Sequence, residues 1–213
     1  MQKLITIIFT VFILFGCSND SFDLVIKNGE VFDGSGSNSK IIDIGVIGDQ
    51  IVKIGNIETN NSKKIIDANG LVVSPGFIDT HAHLDPMSNF IKLSDGESSI
   101  RQGITTSFGG PDGRGVPLNF GFKEFLDSIE SVGVGMNVGF LTGHNKIRRL
   151  VMDLDNRDPS KEELEKMKSI ARKAMDEGAF GISTGLKYLP GNFSKVEEVI
   201  EISKEISSKG GIY

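Results

Sequence analysis

From Ser74 to Tyr213, short apolar runs alternate with amphipathic helical patterns, and this alternation constrains the fold more than any other feature of the chain. A strand that is followed by a helix and then by another strand specifies a parallel sheet with helices packed against it. The apolar runs are "GFIDTHAH", "GITTSF", "GVGMNVGFLTG" and "AFGIST", and Gly211-Ile212-Tyr213 opens a fifth. Between them, "FKEFLDSIES" places Phe122, Phe125, Leu126 and Ile129 at helical spacing. "PSKEELEKMKSIARKAMDEG" is the clearest helix, with Ser160 and Glu163 spaced as a capping box and Gly178 as its stop. Ser194 with Glu197, and Ser94 with Glu97, repeat that spacing before two further helices.

The first of these runs carries the chemistry. In "SPGFIDTHAHLD" an apolar start after Pro75-Gly76 gives way to His81 and His83, two residues apart. On a strand such residues share a face, so two imidazoles would project into one space and form half a metal site; the alternative is a pair of surface histidines. The polar residues crowd the C-terminal end of the run, which in an α/β barrel is the catalytic face.

This stretch, "PGFIDTHAHLD", resembles the first barrel strand of the amidohydrolase superfamily, with its paired metal ligands. The resemblance implies an α/β fold: a (β/α)8 barrel preceded by part of a small β-sandwich. A complete barrel takes about 250 residues. The 140 residues from Ser74 to Tyr213 supply four strand–helix units and the start of a fifth. The expectation is therefore either a smaller architecture or the N-terminal half of a barrel, and the second is favoured.

Ahead of it, residues 22–73 contain β-rich runs at "FDLVIKN", "IIDIGVIGDQIVKIG" and "KKIIDANGLVV". Asn28-Gly29, Gly48-Asp49 and Asn69-Gly70 separate them as hairpin turns, which points to a small antiparallel sheet. Residues 1–17, "MQKLITIIFTVFILFGC", have one Lys3 and then an apolar run from Leu4 to Phe15, short for a membrane span and suited to a signal peptide. "LFGC" resembles a bacterial lipobox, so Cys17 is expected to carry a lipid anchor, with residues 18–21 as a tether. Ser18 after the cysteine suggests an outer-membrane destination facing the periplasm. A net charge of -5 with no long run of Lys or Arg argues against a nucleic-acid partner.

The likeness narrows farther along. "NVGFLTGHNKIRRLVM" and "GAFGISTGLKYLPGNFSKVEEVIEISKEISSKGGIY" resemble the N-acyl-D-amino-acid deacylases, and with "FDLVIKNGEVFDGSG" the likeness extends over nearly all of Phe22 to Tyr213. It implies that a metal, usually zinc and present as one or two ions, activates water to hydrolyse an N-acyl-D-amino acid. Many members carry a cysteine ligand in a Gly-Asn-Cys-Gly turn after the second strand. Here "GGPDGRG" puts Asp112 in that place, either as a ligand or as an ordinary turn aspartate. Tyr188 resembles a substrate-facing tyrosine, the alternative being a residue packed on the rim; His144 reads as a loop or first-turn residue outside the metal set. The family's general base, an aspartate after the eighth strand, would lie beyond Tyr213, so these residues alone are expected to be inactive. Dihydroorotase-like cyclic amidases and isoaspartyl dipeptidase-like enzymes are the alternative within the superfamily. Many two-metal relatives use a carboxylated lysine on the fourth strand, whereas "AFGISTG" has none and Lys187 follows in the loop. A non-catalytic surface lipoprotein that has kept the fold is a third reading.

Export through Cys17 has a direct test. A fatty-acid analogue is expected to label the wild-type protein and not Cys17→Ser; equal incorporation into both would remove the lipid anchor.

Overall fold

The computed structural model describes residues 21–60, 62–84, 95–116 and 121–213. The expected signal peptide, Cys17 and Ser94 lie outside the described residues. The chain divides into two units, Met1–Pro75 and Gly76–Tyr213.

In the first unit, β1 (Leu24–Val31), β2 (Lys40–Ile47) and β3 (Gln50–Gly55) form an antiparallel meander, and β4 (Ile65–Asp67) and β5 (Val72–Val73) add to β1. Gly48-Asp49 makes the expected two-residue hairpin, since Ile47 pairs with Gln50 on either side of it. Two expectations are corrected. β4 and β5 run parallel to β1, so the sheet is mixed, and Asn69-Gly70 turns the chain between two partners of the same strand. Asn28-Gly29 lies inside β1, where the register against β2 shifts between Ile26 and Gly29 and Asn28 has φ 60°. It is a bulge, which needs the same tolerance of positive φ as a turn.

A buried carboxylate holds that bulge. Asp43 Oδ1 accepts from Asn28 N at 3.0 Å, and its Oδ2 accepts from Lys27 Nζ at 2.8 Å and Ile57 N at 3.0 Å. Burial pushes the Asp43 carboxyl up, but these donors outweigh it and hold the group below its ordinary value. Beside it, Phe22, Val25 and Ile57 form a small core.

The second unit has the α/β architecture expected. β6 (Phe77–Asp79), β7 (Ile104–Gly109), β8 (Asn137–Gly143) and β9 (Gly181–Ser183) are all parallel and adjacent in sequence order, giving a barrel-like sheet. Ile212 bridges in parallel to Gly181, where a fifth strand begins. The helices are α1 (Glu97–Ile100), α2 (Phe122–Val132), α3 (His144–Met152), α4 (Lys161–Asp176) and α5 (Val196–Ser208). On α2, Phe122, Phe125 and Ile129 bury against Phe140 of β8, with the Phe125 and Phe140 rings edge-on at 4.7 Å. A second cluster joins Ile147 and Met152 of α3, Met167 and Ala171 of α4, Ile182 of β9, and Ile202 and Ile206 of α5.

Of the three capping boxes expected, the one at Ser160 forms in full. Ser160 Oγ accepts from Glu163 N at 3.2 Å, and Glu163 Oε2 accepts from Ser160 N at 2.7 Å. Paired hydrogen bonds from Arg157 to the same carboxylate, joined by that from Ser160 N, bring the Glu163 pKa down to about 2. α1 instead starts after Gly96, which has no side chain to cap with. α5 starts after Lys195, because the Ser194 hydroxyl donates to Gly191 O in the preceding turn.

α3 is locked to α5 by a charged cluster in the interior. Glu198 accepts from His144 Nε2 at 2.8 Å and from Arg148 Nη1, and all three side chains are 2% exposed or less. His144 and Arg148 stand four apart, so one turn of α3 presents both. Arg148 Nη2 also donates to Arg157 O at 2.7 Å, tying down the chain after the helix. Burial raises the Glu198 pKa, but the bonds from His144 and Arg148 outweigh it and hold the carboxyl below its ordinary 4.5. A carboxyl depressed in the folded state contributes stability above its unfolded pKa and loses that contribution as the pH falls through its folded value. Denaturant melts are therefore expected to weaken on acidification below pH 4.5, and more steeply for wild type than for Glu198→Gln. At neutral pH, Glu198→Ala is expected to cost about 3–5 kcal/mol, because it strands a buried guanidinium. Equal melting of wild type and variant would refute the lock.

Candidate metal centre

The two histidines lie just past the strand on which the sequence placed them. β6 ends at Asp79, whose Oδ1 accepts from His81 N at 3.0 Å and turns the chain out of the sheet. Alternation nevertheless continues: Ala82 is buried and bonded through its N–H to Phe108 O at 3.0 Å, while His81 and His83 point the other way, into the open. Their rings meet edge-on, with centroids 5.2 Å apart.

Asp112 reaches them from the loop after β7. Asp112 and Gly113 have φ 57° and 70°, and Arg114 N bonds to Pro111 O at 3.1 Å, so the Pro-Asp-Gly-Arg segment closes as a turn with both central residues at positive φ. The turn is held from β9: Ser183 Oγ accepts from Gly113 N at 3.0 Å and donates to Gly110 O at 2.6 Å. In this position Asp112 Oδ2 lies 3.7 Å from His81 Nε2 and 3.4 Å from His83 Nε2. One donor atom from each of the three residues falls within 4.8 Å of the others. Two ligands of a tetrahedral zinc, each about 2.0–2.1 Å from the ion, stand about 3.4 Å apart. The spacing fits a shared cation, and two nitrogens with one oxygen form a donor set that zinc accepts.

Asn145, a residue the sequence did not single out, organises the neighbouring loop. Buried at the start of α3, it donates through Nδ2 to Gly185 O at 2.9 Å and Tyr188 O at 3.2 Å, and its Oδ1 accepts from Gly185 N at 3.2 Å. The loops around it touch backbone to backbone. A Cβ at Gly113 would lie 2.1 Å from Asn145 Oδ1, and one at Gly185 would lie 2.0 Å from Asp112 O. Only glycine fits at either place. Asp112, Asn145 and Tyr188 line one cleft of about 610 Å³ at the C-terminal ends of the strands, and Tyr188 is 49% exposed there. His144 is not among the cleft's lining residues; its Nε2 is committed to Glu198. Lys187 is exposed in the loop after β9.

The amidohydrolase family model matches residues 64–202. A D-aminoacylase of Alcaligenes xylosoxydans xylosoxydans is 34% identical over 212 residues, covering 90% of this chain and 43% of that protein. Among solved structures, a D-aminoacylase described as having a binuclear metal centre superposes with a TM-score of 0.81 at 32% identity, covering 90% of this chain and 44% of the other. The N-acyl-D-glutamate deacylase of Bordetella bronchiseptica, solved with zinc and a phosphonate that mimics the tetrahedral intermediate, gives 0.79 at 28% identity, covering 89% and 44%. The chain thus spans less than half the length of these three relatives.

Replacing Asn145 by alanine removes three hydrogen bonds from a buried position. The expected cost is about 1–3 kcal/mol, with faster hydrogen exchange at the Gly185 amide than at amides in α4. Unchanged exchange at Gly185 would show that the loop is held by other contacts.

Proposed function

Because the chain belongs to the amidohydrolase family, we propose that the protein it forms is a metal-dependent amide hydrolase releasing a D-amino acid from an N-acyl-D-amino acid. The observation that carries this reading is the convergence of His81, His83 and Asp112 at the C-terminal ends of adjacent parallel strands. The likeness to D-aminoacylases along 90% of the chain supports the choice of substrate.

His81, His83 and Asp112 would hold the ion, and zinc is the one we favour for two imidazoles and a carboxylate. A divalent ion supplies a Lewis acid that polarises an amide carbonyl and brings the pKa of water down to about 7. The imidazoles bind without cancelling the ion's charge, whereas Asp112 cancels one unit of it. Tyr188, on the loop after β9 and lining the same cleft as Asp112, would orient the substrate through its hydroxyl. The turn between Pro111 and Arg114, pinned by Ser183, keeps the Asp112 carboxylate facing the histidines, so the donors need little rearrangement to bind. The lipid anchor at Cys17, and with it a place on the cell envelope, remains part of this reading on the sequence alone.

Asp112→Asn separates the ligand from the turn, since asparagine also accepts positive φ. Elemental analysis of the full-length protein is expected to find zinc in wild type and none after His81→Ala or His83→Ala. For Asp112→Asn, zinc affinity should fall at least about tenfold with the melting temperature little changed. Full zinc content in Asp112→Asn would leave Asp112 a turn residue. Zinc-loaded protein that releases no D-amino acid from a panel of N-acetyl-D-amino acids would overturn the hydrolase reading.

A further inference from the structure

The turn that carries Asp112 is clasped from a strand it does not neighbour. β8 lies between β7 and β9 in the sheet, and strands about 4.8 Å apart put β9 roughly 10 Å from β7. The loop after β7 nevertheless reaches β9, because it lies across the end of β8 at Gly143. A Cβ at Gly143 would fall 2.3 Å from Gly113 O and 2.5 Å from Gly115 N, so the loop backbone rests directly on the strand. Gly143 has φ -109° and ψ 121°, extended backbone that any residue adopts, so what glycine supplies here is space. The residue paired with Gly143 on β9 is Ser183. Its hydroxyl meets both shoulders of the turn: it accepts from Gly113 N at 3.0 Å and donates to Gly110 O at 2.6 Å. The two bonds use the hydroxyl's one proton and an acceptor lone pair, and they bracket Pro111 and Asp112. Asp112 has φ 57°, a conformation disfavoured for an L-residue and kept where the surroundings fix it.

We propose that Ser183 is a positioning residue for the metal centre: its hydroxyl, reached across Gly143, holds the turn in the conformation that presents the Asp112 carboxylate to His81 and His83, and thereby sets the affinity for the ion. The proposal rests on the reading of Asp112 as a ligand and adds the residue on which that ligand depends. Without the hydroxyl, Gly113 N and Gly110 O lose their bonds to β9, and the turn is free to relax from positive φ. The carboxylate must then be ordered afresh whenever an ion binds. His81 and His83 follow β6, on the far side of β7 from Ser183, so the change falls on one ligand of the three.

The test is zinc binding to the metal-free, full-length protein by calorimetry, a readout independent of turnover. Ser183→Ala is expected to weaken zinc about tenfold or more, the usual effect of removing a group that orients a ligand. Ser183→Thr keeps the hydroxyl at a strand position where β-branching is favoured, and should bind like wild type. Gly143→Ala keeps the hydroxyl but lifts the turn off β8, and should bind like Ser183→Ala. Thermal melts without metal check that each variant folds. The decisive comparison is a cycle with Asp112→Asn: if Ser183 acts through Asp112, Ser183→Ala loses nothing more once that carboxylate has gone. Unchanged affinity in Ser183→Ala, an equal loss in Ser183→Thr, or a loss of the same size on the Asp112→Asn background would overturn the proposal. The ligand reading is judged separately, by Asp112→Asn alone. Wild-type affinity there removes that reading and the proposal with it, whereas weakened binding there with none lost in Ser183→Ala removes the proposal and keeps the ligand.

Discussion

The site depends on a carboxylate that lies outside it. Glu198, buried on α5, accepts from His144 and Arg148 and thereby fixes where α3 begins. The next residue, Asn145, brackets the loop after β9, and Lys146 N bonds to Gly113 O at 3.2 Å in the loop after β7. Two loops that carry Asp112 and Tyr188 are thus referred to one helix start, and that start is referred to one buried ion cluster. Such a cluster gains little net free energy over an apolar core, since desolvation takes back most of the Coulombic attraction. Its geometry is what matters here: a carboxylate with two fixed donors admits few alternative placements of the helix.

At Asp112 the two readings of the sequence are compatible. A short acidic side chain tolerates positive φ, and for that reason it can occupy the first central position of the turn. The same turn swings its carboxylate to within 3.4 Å of His83. The turn conformation is thus also the one that a ligand role would need, and the glycine that follows lets Asn145 and the Gly185 backbone close in behind it. Compared with a thiolate, a carboxylate at this position is harder and does not oxidise, and it favours ions that take oxygen well.

What could be read from the sequence followed from how local each signal was. The strand–helix alternation, the Ser160 capping box and the buried face of α2 each depend on residues within one or two turns, and each formed as its pattern implied. The pairing of His81 with His83 survived even though the strand ended sooner, because backbone alternation outlasts the hydrogen-bonded ladder. Where a local signal had a tertiary competitor, the sequence misled. Asn28-Gly29 was drawn into a bulge by a carboxylate 15 residues away, and the Ser194 hydroxyl went to a carbonyl in the preceding turn. Glu198 looks like any glutamate on the first turn of an amphipathic helix, and no feature of its neighbours shows that it meets His144, 54 residues earlier. Asn145 is equally silent, since its partners are backbone atoms 40 residues or more ahead.

One turn serves two neighbouring features of the fold. Asp112 lies 3.4 Å from His83 and 3.7 Å from His81, and it also lines the cleft with Asn145 and Tyr188, whereas the two histidines are not among that cleft's described lining residues. The backbone of the turn is held by Ser183 from β9 and by Lys146 N from the start of α3. The spacing of the three metal-ligating side chains and the wall of the cleft therefore both follow from the placement of a single four-residue segment, and any change that moves this segment moves both.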